Sequence, residues 1–218
     1  MLSTPLGLLG EISDAAARQG IFKHATPTLW RCREQGQNAF DLNSRELGSP
    51  PAEFGAANRM TGKGQSAFYG STSLQCAVDE VARSADIAFS ACSFAPSRPL
   101  FHFDAFAVPD PPSPFAEDAC DDTQALAFLR RFAETLSEPN TDDDQYHYVP
   151  TQLFTEYLLA GPEELRPDAV RFASSLDSQY ENWVVFVDNS RCLDAPTTRA
   201  GPVRDHVAVT AETASGSP

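Results

Sequence analysis

The sequence predicts one domain in which helices and strands are mixed, and three features carry that expectation. Apolar residues recur at helical spacing at Leu6, Leu9, Ile12 and Ala16, again from Leu74 to Val81, and again from Leu126 to Leu136. Between these stretches lie runs rich in β-branched and aromatic residues, of which Asn182 to Val187 (N-W-V-V-F-V) is the clearest. The 218 residues suffice for one sizeable core, and neither an internal repeat nor a second domain stands out.

Composition narrows the function. A formal net charge of −14 disfavours a general nucleic-acid binder, because neutralising phosphates takes clustered Lys and Arg. An anionic ligand must then be held by a few placed arginines, which favours a small molecule over a polymer. Five cysteines without a Cys-x-x-Cys pair point to a reducing compartment, with most of them buried as small apolar residues. The four histidines lack metal-ligand spacing, so no metal is expected. No run is long enough to span a membrane and no signal peptide is evident, so a cytoplasmic protein is expected.

Taken in order, residues 1–27 read as a helical extension that stops at Gly20. Thr28 to Arg33 (T-L-W-R-C-R) alternates as a strand, which sets Leu29 and Arg31 opposite Trp30 and Cys32. Glu34 to Ala57 reads as a long loop over the mouth of a site. The chain then crosses a Gly62-Lys63-Gly64 turn into a strand-like run at Ser66–Tyr69. A helix follows, capped by Ser71 or Ser73, with Glu80 on the flank of its apolar stripe. Strands are expected at Ile87–Phe94, Pro99–Phe103, Ala169–Ser175 and Asn182–Val187, and a helix over Gln124–Leu136. Val108–Asp122 reads as a solvated excursion and Glu138–Gln145 as a solvated acidic run. Pro150 and Thr151 open a further helix, with Gln152 and Glu156 on one face and Leu153–Tyr157 and Phe154–Leu158 as core-facing pairs. Residues 194–218 read as a disordered tail after a domain at 28–193.

Six features in order resemble the RES domain, a family named for its Arg, Glu and Ser. They are Arg31 in the first strand; Asn58-Arg59-Met60; Phe68-Tyr69-Gly70; Ala77-Val78-Asp79-Glu80-Val81; Pro150-Thr151-Gln152 with Glu156; and Arg171-Phe172-Ala173-Ser174-Ser175 followed by Asn182. Asn58 and Met60 stand where the family usually has Gly and Phe or Trp. The resemblance implies an α+β fold like that of ADP-ribosyltransferases, with a small antiparallel or mixed sheet, flanking helices and a cleft. It implies cleavage of the nicotinamide–ribose bond of NAD by water or phosphate. NAD is then a substrate, and no cofactor is expected. It also implies the toxin role of a toxin–antitoxin pair, whose partner is a helix-turn-helix protein of the Xre type. Exposed Phe and Pro leave room for self-association.

Such cleavage passes through positive charge on the ribose and releases a neutral nicotinamide, so a fixed carboxylate is the main demand. By the resemblance Glu80 supplies it, Arg31 and Arg59 hold the pyrophosphate, and Tyr69 orients the nicotinamide. Ser174 or Ser175 hydrogen-bonds the nicotinamide-ribose end, and Asn58, Gln152, Glu156 and Asn182 complete the substrate contacts. By local context alone Gln152 and Glu156 are a polar helix face. Two other functions stay open, a transferase placing ADP-ribose on a macromolecule and a silent binding module.

Overall fold

A computed structural model describes residues 5–35, 41, 43–55, 57–81, 89–112, 122–138, 148–194 and 209–213. The helices are α1 (Pro5–Arg18), α2 (Ser44–Leu47), α3 (Leu74–Asp79), α4 (Thr123–Ser137) and α5 (Val149–Ala160). The strands are β1 (Phe22–Ala25), β2 (Leu29–Glu34), β3 (Phe68–Ser71), β4 (Phe89–Pro96) and β5 (Leu100–Asp104). They continue with β6 (Ala169–Ala173), β7 (Glu181–Val185), β8 (Cys192–Asp194) and β9 (Val209–Thr213).

The nine strands of the described residues form one mixed sheet in the order β1-β5-β6-β7-β3-β2-β4-β9-β8. The pairings are antiparallel except β5–β6 and β8–β9, which are parallel. The expected α+β architecture holds, with a larger sheet than expected. The additional strands β1 and β8 are short sequences (F-K-H-A and C-L-D) without a β-branched run, so backbone pairing rather than side-chain propensity makes them strands.

Strand alternation divides the core between the two faces of the sheet. Val184 of β7, Val170 and Phe172 of β6 and Phe103 of β5 face one cluster, which α1, α4 and α5 cover with Ile12, Leu129, Phe132, Phe154 and Leu158. Trp183, Val185, Ala169, Leu100 and Phe68 turn the other way, against Leu29, Leu47, Phe94 and Cys192. Edge-to-face contacts of Phe132 with Phe103 (5.4 Å) and Phe154 (5.1 Å) fasten the helical layer to β5. Each such pair adds roughly 0.5–1.5 kcal/mol beyond the area it buries.

Several expectations change. The 34–57 stretch contains α2, whose Asn43 cap accepts from the Glu46 amide at 2.9 Å and whose Leu47 is buried. Asp194 accepts from the Ser44 amide at 2.6 Å, which docks α2 on β8. Leu153 is 55% exposed while Phe154 is buried, so only Phe154–Leu158 is a core-facing pair of α5. On α3 the buried residues are Cys76 and Ala77, and Leu74 is exposed. The tail was expected to lack structure, yet Val209–Thr213 is β9, paired on both sides. Residues 195–208 and 214–218 lie outside the described residues, as do 113–121 of the excursion and 139–147, which hold most of the acidic run. Cys32, Cys76, Cys92 and Cys192 are buried and free, as expected. No described helix is long and apolar enough to cross a membrane.

Candidate active site

β2, β3 and β7 run side by side. Together with α3 and the 57–61 loop they enclose a cavity of about 450 Å³, lined by Arg31, Asn58, Arg59, Tyr69, Glu80, Ser175 and Asn182. Trp30, Met60, Tyr148, Phe172 and Trp183 complete its apolar walls. A void of this size suits a small-molecule ligand.

Glu80 stands just past the C-terminal end of α3, a helix that begins at Ser73, whose hydroxyl accepts from the Cys76 amide. Glu80 Oε1 accepts hydrogen bonds from Ser174 Oγ (2.8 Å) and Asn182 Nδ2 (2.9 Å). Ser174 Oγ accepts in turn from the Leu176 amide at 3.2 Å, and Asn182 Oδ1 accepts from the Cys76 thiol at 3.5 Å. These bonds set the direction of both donors, so one carboxylate oxygen is fixed and the other is left for a ligand. The choice between the two serines resolves into two places. Ser174, 4% exposed, holds Glu80, and Ser175 lines the cavity.

Arg31 lies opposite in charge. Its guanidinium carbon sits 5.4 Å from the centroid of the Phe68 ring, and Nη1 is buried without a hydrogen-bond partner among the described residues. Burial, with a contribution from Arg33, lowers its pKa from 12.5 to about 10, and the two groups that oppose this, Cys192 and Tyr69, are not carboxylates. A desolvated cation with no counter-ion among the described residues is a ready anion receptor. Tyr69 exchanges a hydrogen bond of 3.2 Å with Thr61 Oγ1. Burial pushes its phenol up to about 12, which keeps it protonated at neutral pH.

Arg59 reaches the cavity from another side, and its two terminal amino groups donate to the carbonyl oxygens of Leu136 and Glu138. Those carbonyls end α4, where the helix dipole favours a cation. Gln152 and Glu156 do not line the cavity. Gln152 Nε2 donates to Asn58 O (2.7 Å) and Thr61 O (3.4 Å), and Glu156 Oε1 accepts from Gln65 at 3.2 Å. They hold the loop that carries Asn58 and Arg59. Of the 34–57 stretch, expected over the mouth of the site, Ala57 alone among the described residues lines the cavity. Among the described residues no His, Cys, Asp and Glu cluster suits a metal ion.

The cavity residues missed from sequence are Trp30, Tyr148, Phe172 and Trp183, together with Cys76 behind Asn182. Cys76 precedes Glu80 by four residues, one helical turn, and that spacing was the available signal. The aromatic residues come from separate elements and left none.

No curated protein matches this chain. Among solved structures, the crystal structure of the M. tuberculosis MbcT-MbcA toxin-antitoxin complex is similar at 15% identity and a TM-score of 0.43, over 84% of this chain and 83% of that one. The RES domain matches residues 28–207, a span that holds the twelve cavity-lining residues named above as well as Ser174 and the loop-holding Gln152. The chain belongs to the RES domain family.

Proposed function

We propose that this protein cleaves the bond between nicotinamide N1 and ribose C1′ of NAD. One observation carries the proposal: a carboxylate oriented by two donors, Ser174 and Asn182, shares a cavity with the half-buried cation Arg31, whose buried Nη1 has no partner among the described residues. The pyrophosphate of a dinucleotide supplies the anion that Arg31 lacks, with Arg59 as a second cation. The free oxygen of Glu80 then stabilises the positive charge that develops at C1′ as the bonding pair leaves with nicotinamide N1. Water attacking C1′ loses its proton and yields ADP-ribose; phosphate as the attacking group yields the 1-phosphate ester. Nicotinamide leaves neutral, so the site needs no general acid at the leaving group, and neutral Tyr69 serves as an orienting surface.

RES family membership supports a further proposal, the toxin role with a helix-turn-helix protein of the Xre type as antitoxin.

The test is NAD loss with purified protein, with and without phosphate, beside Glu80→Gln. Loss that falls by about 100-fold or more in the variant is expected, from removal of the charge that stabilises the transition state. An unchanged rate in Glu80→Gln, or folded protein that leaves NAD intact in both buffers, refutes the proposal.

A further inference from the structure

The loop that brings Arg59 to the cavity is held from outside the sheet. Asn58 N donates to Thr61 O at 2.8 Å, which closes a short turn around Arg59. Both carbonyl oxygens that follow, those of Asn58 and Arg59, point to the first turn of α5. Gln152 Nε2 takes the carbonyl of Asn58 at 2.7 Å. The buried Thr151 hydroxyl is shared between the carbonyls of Arg59 and Tyr148. One turn further along α5, Glu156 holds Gln65, whose own Oε1 accepts from the Gly62 amide at 3.0 Å. Neither Gln152 nor Glu156 lines the cavity. The Arg59 side chain is meanwhile bound at the end of α4.

We infer that Thr151 and Gln152 are positioning residues, which act on the dinucleotide through Arg59 by fixing the backbone of its loop against α5. The inference rests on the proposed NAD reaction for its ligand, and on hydrogen bonds alone for its geometry. A guanidinium at the end of a mobile backbone loses the pre-organisation that makes it a strong phosphate ligand. Gln152 meets two carbonyl oxygens and therefore has to be a donor. Ionised glutamate keeps its shape and reverses that function.

The experiment compares wild type, Gln152→Glu and Gln152→Ala in three measurements: calorimetric binding of ADP-ribose, steady-state NAD cleavage, and hydrogen exchange of the Asn58 amide. Both variants are expected to bind ADP-ribose about tenfold more weakly and to raise KM with kcat nearly kept, with faster exchange at Asn58. The glutamate variant is expected to be the worse of the two. Unchanged exchange at Asn58, or faster exchange with unchanged affinity, overturns the inference. Wild-type protein that binds no ADP-ribose removes the NAD proposal instead, and the exchange of Asn58 then decides the clamp by itself.

Discussion

Replacing Arg31 by Met is expected to stabilise the fold while removing ligand binding. In the free protein the guanidinium is desolvated, and Nη1 has no partner among the described residues. A pKa lowered from 12.5 to about 10, at about 1.4 kcal/mol per tenfold, corresponds to a penalty of about 3 kcal/mol on the charged form. The sign follows from linkage. Burial lowers the folded-state pKa of a cation, so the penalty is fully present at neutral pH. It eases only as pH rises through about 10 towards 12.5, where the unfolded chain holds the extra proton. Methionine fills much of the same volume beside Phe68 without a charge. A gain of about 1–3 kcal/mol is expected, less than the full penalty because the stem packing changes. For a chain of this size each kcal/mol moves Tm by about 2–4 °C. Thermal and urea melts of both proteins, with and without ADP-ribose, check this. Ligand should raise the Tm of wild type and leave that of Arg31→Met unmoved. A variant that melts lower than wild type would refute the reasoning, since the charge would then be satisfied within the fold. So would retained affinity for ADP-ribose.

Two further outcomes follow from the same geometry. Ser174→Ala removes one of the two donors to Glu80 Oε1. A hydrogen bond to a charged group contributes about 1.5–3 kcal/mol, so kcat should fall by about 10–100-fold with KM nearly kept, as steady-state kinetics would show. Gly70→Ala places a Cβ 2.8 Å from Phe68 Cε1 and 3.0 Å from the Trp30 carbonyl oxygen. The backbone neighbour cannot swing aside, and a loss of about 1–3 kcal/mol is expected in urea melts. Unchanged stability would mean that β2 and β3 separate freely at this point.

Sequence patterns located what local physics decides. The alternation at Thr28–Arg33 became β2, with Arg31 at the cavity, and the apolar spacing from Leu126 to Leu136 became α4. Arg59, Tyr69 and Glu80 were found by their order within the family pattern, and the structure brings all three to one cavity. Gln152 was harder to place, because a glutamine on a helix face reads the same whether it meets a ligand or a loop carbonyl. The difference lies in the Asn58 and Thr61 carbonyls, which are far away in the chain. Leu153 and Phe154 illustrate another limit. Both are apolar and adjacent on α5, and the positions of Phe103, Phe128 and Phe132 decide that Phe154 is the one buried. β9 was missed because its composition is that of a tail, whereas its stability comes from pairing on both edges.

That last strand also bears on the order in which the molecule is made. Cys92 of β4 pairs with Thr213, which follows it by 121 residues and is therefore synthesised long after it. Until then the outer side of β4 carries open amide and carbonyl groups beside an already assembled β2. Contacts so distant in sequence form slowly, and a nascent chain waits for them with an unfinished rim. The interval before β9 docks is therefore when a second copy can add its own strand in the same place. Folding yield should therefore fall as protein concentration rises during refolding.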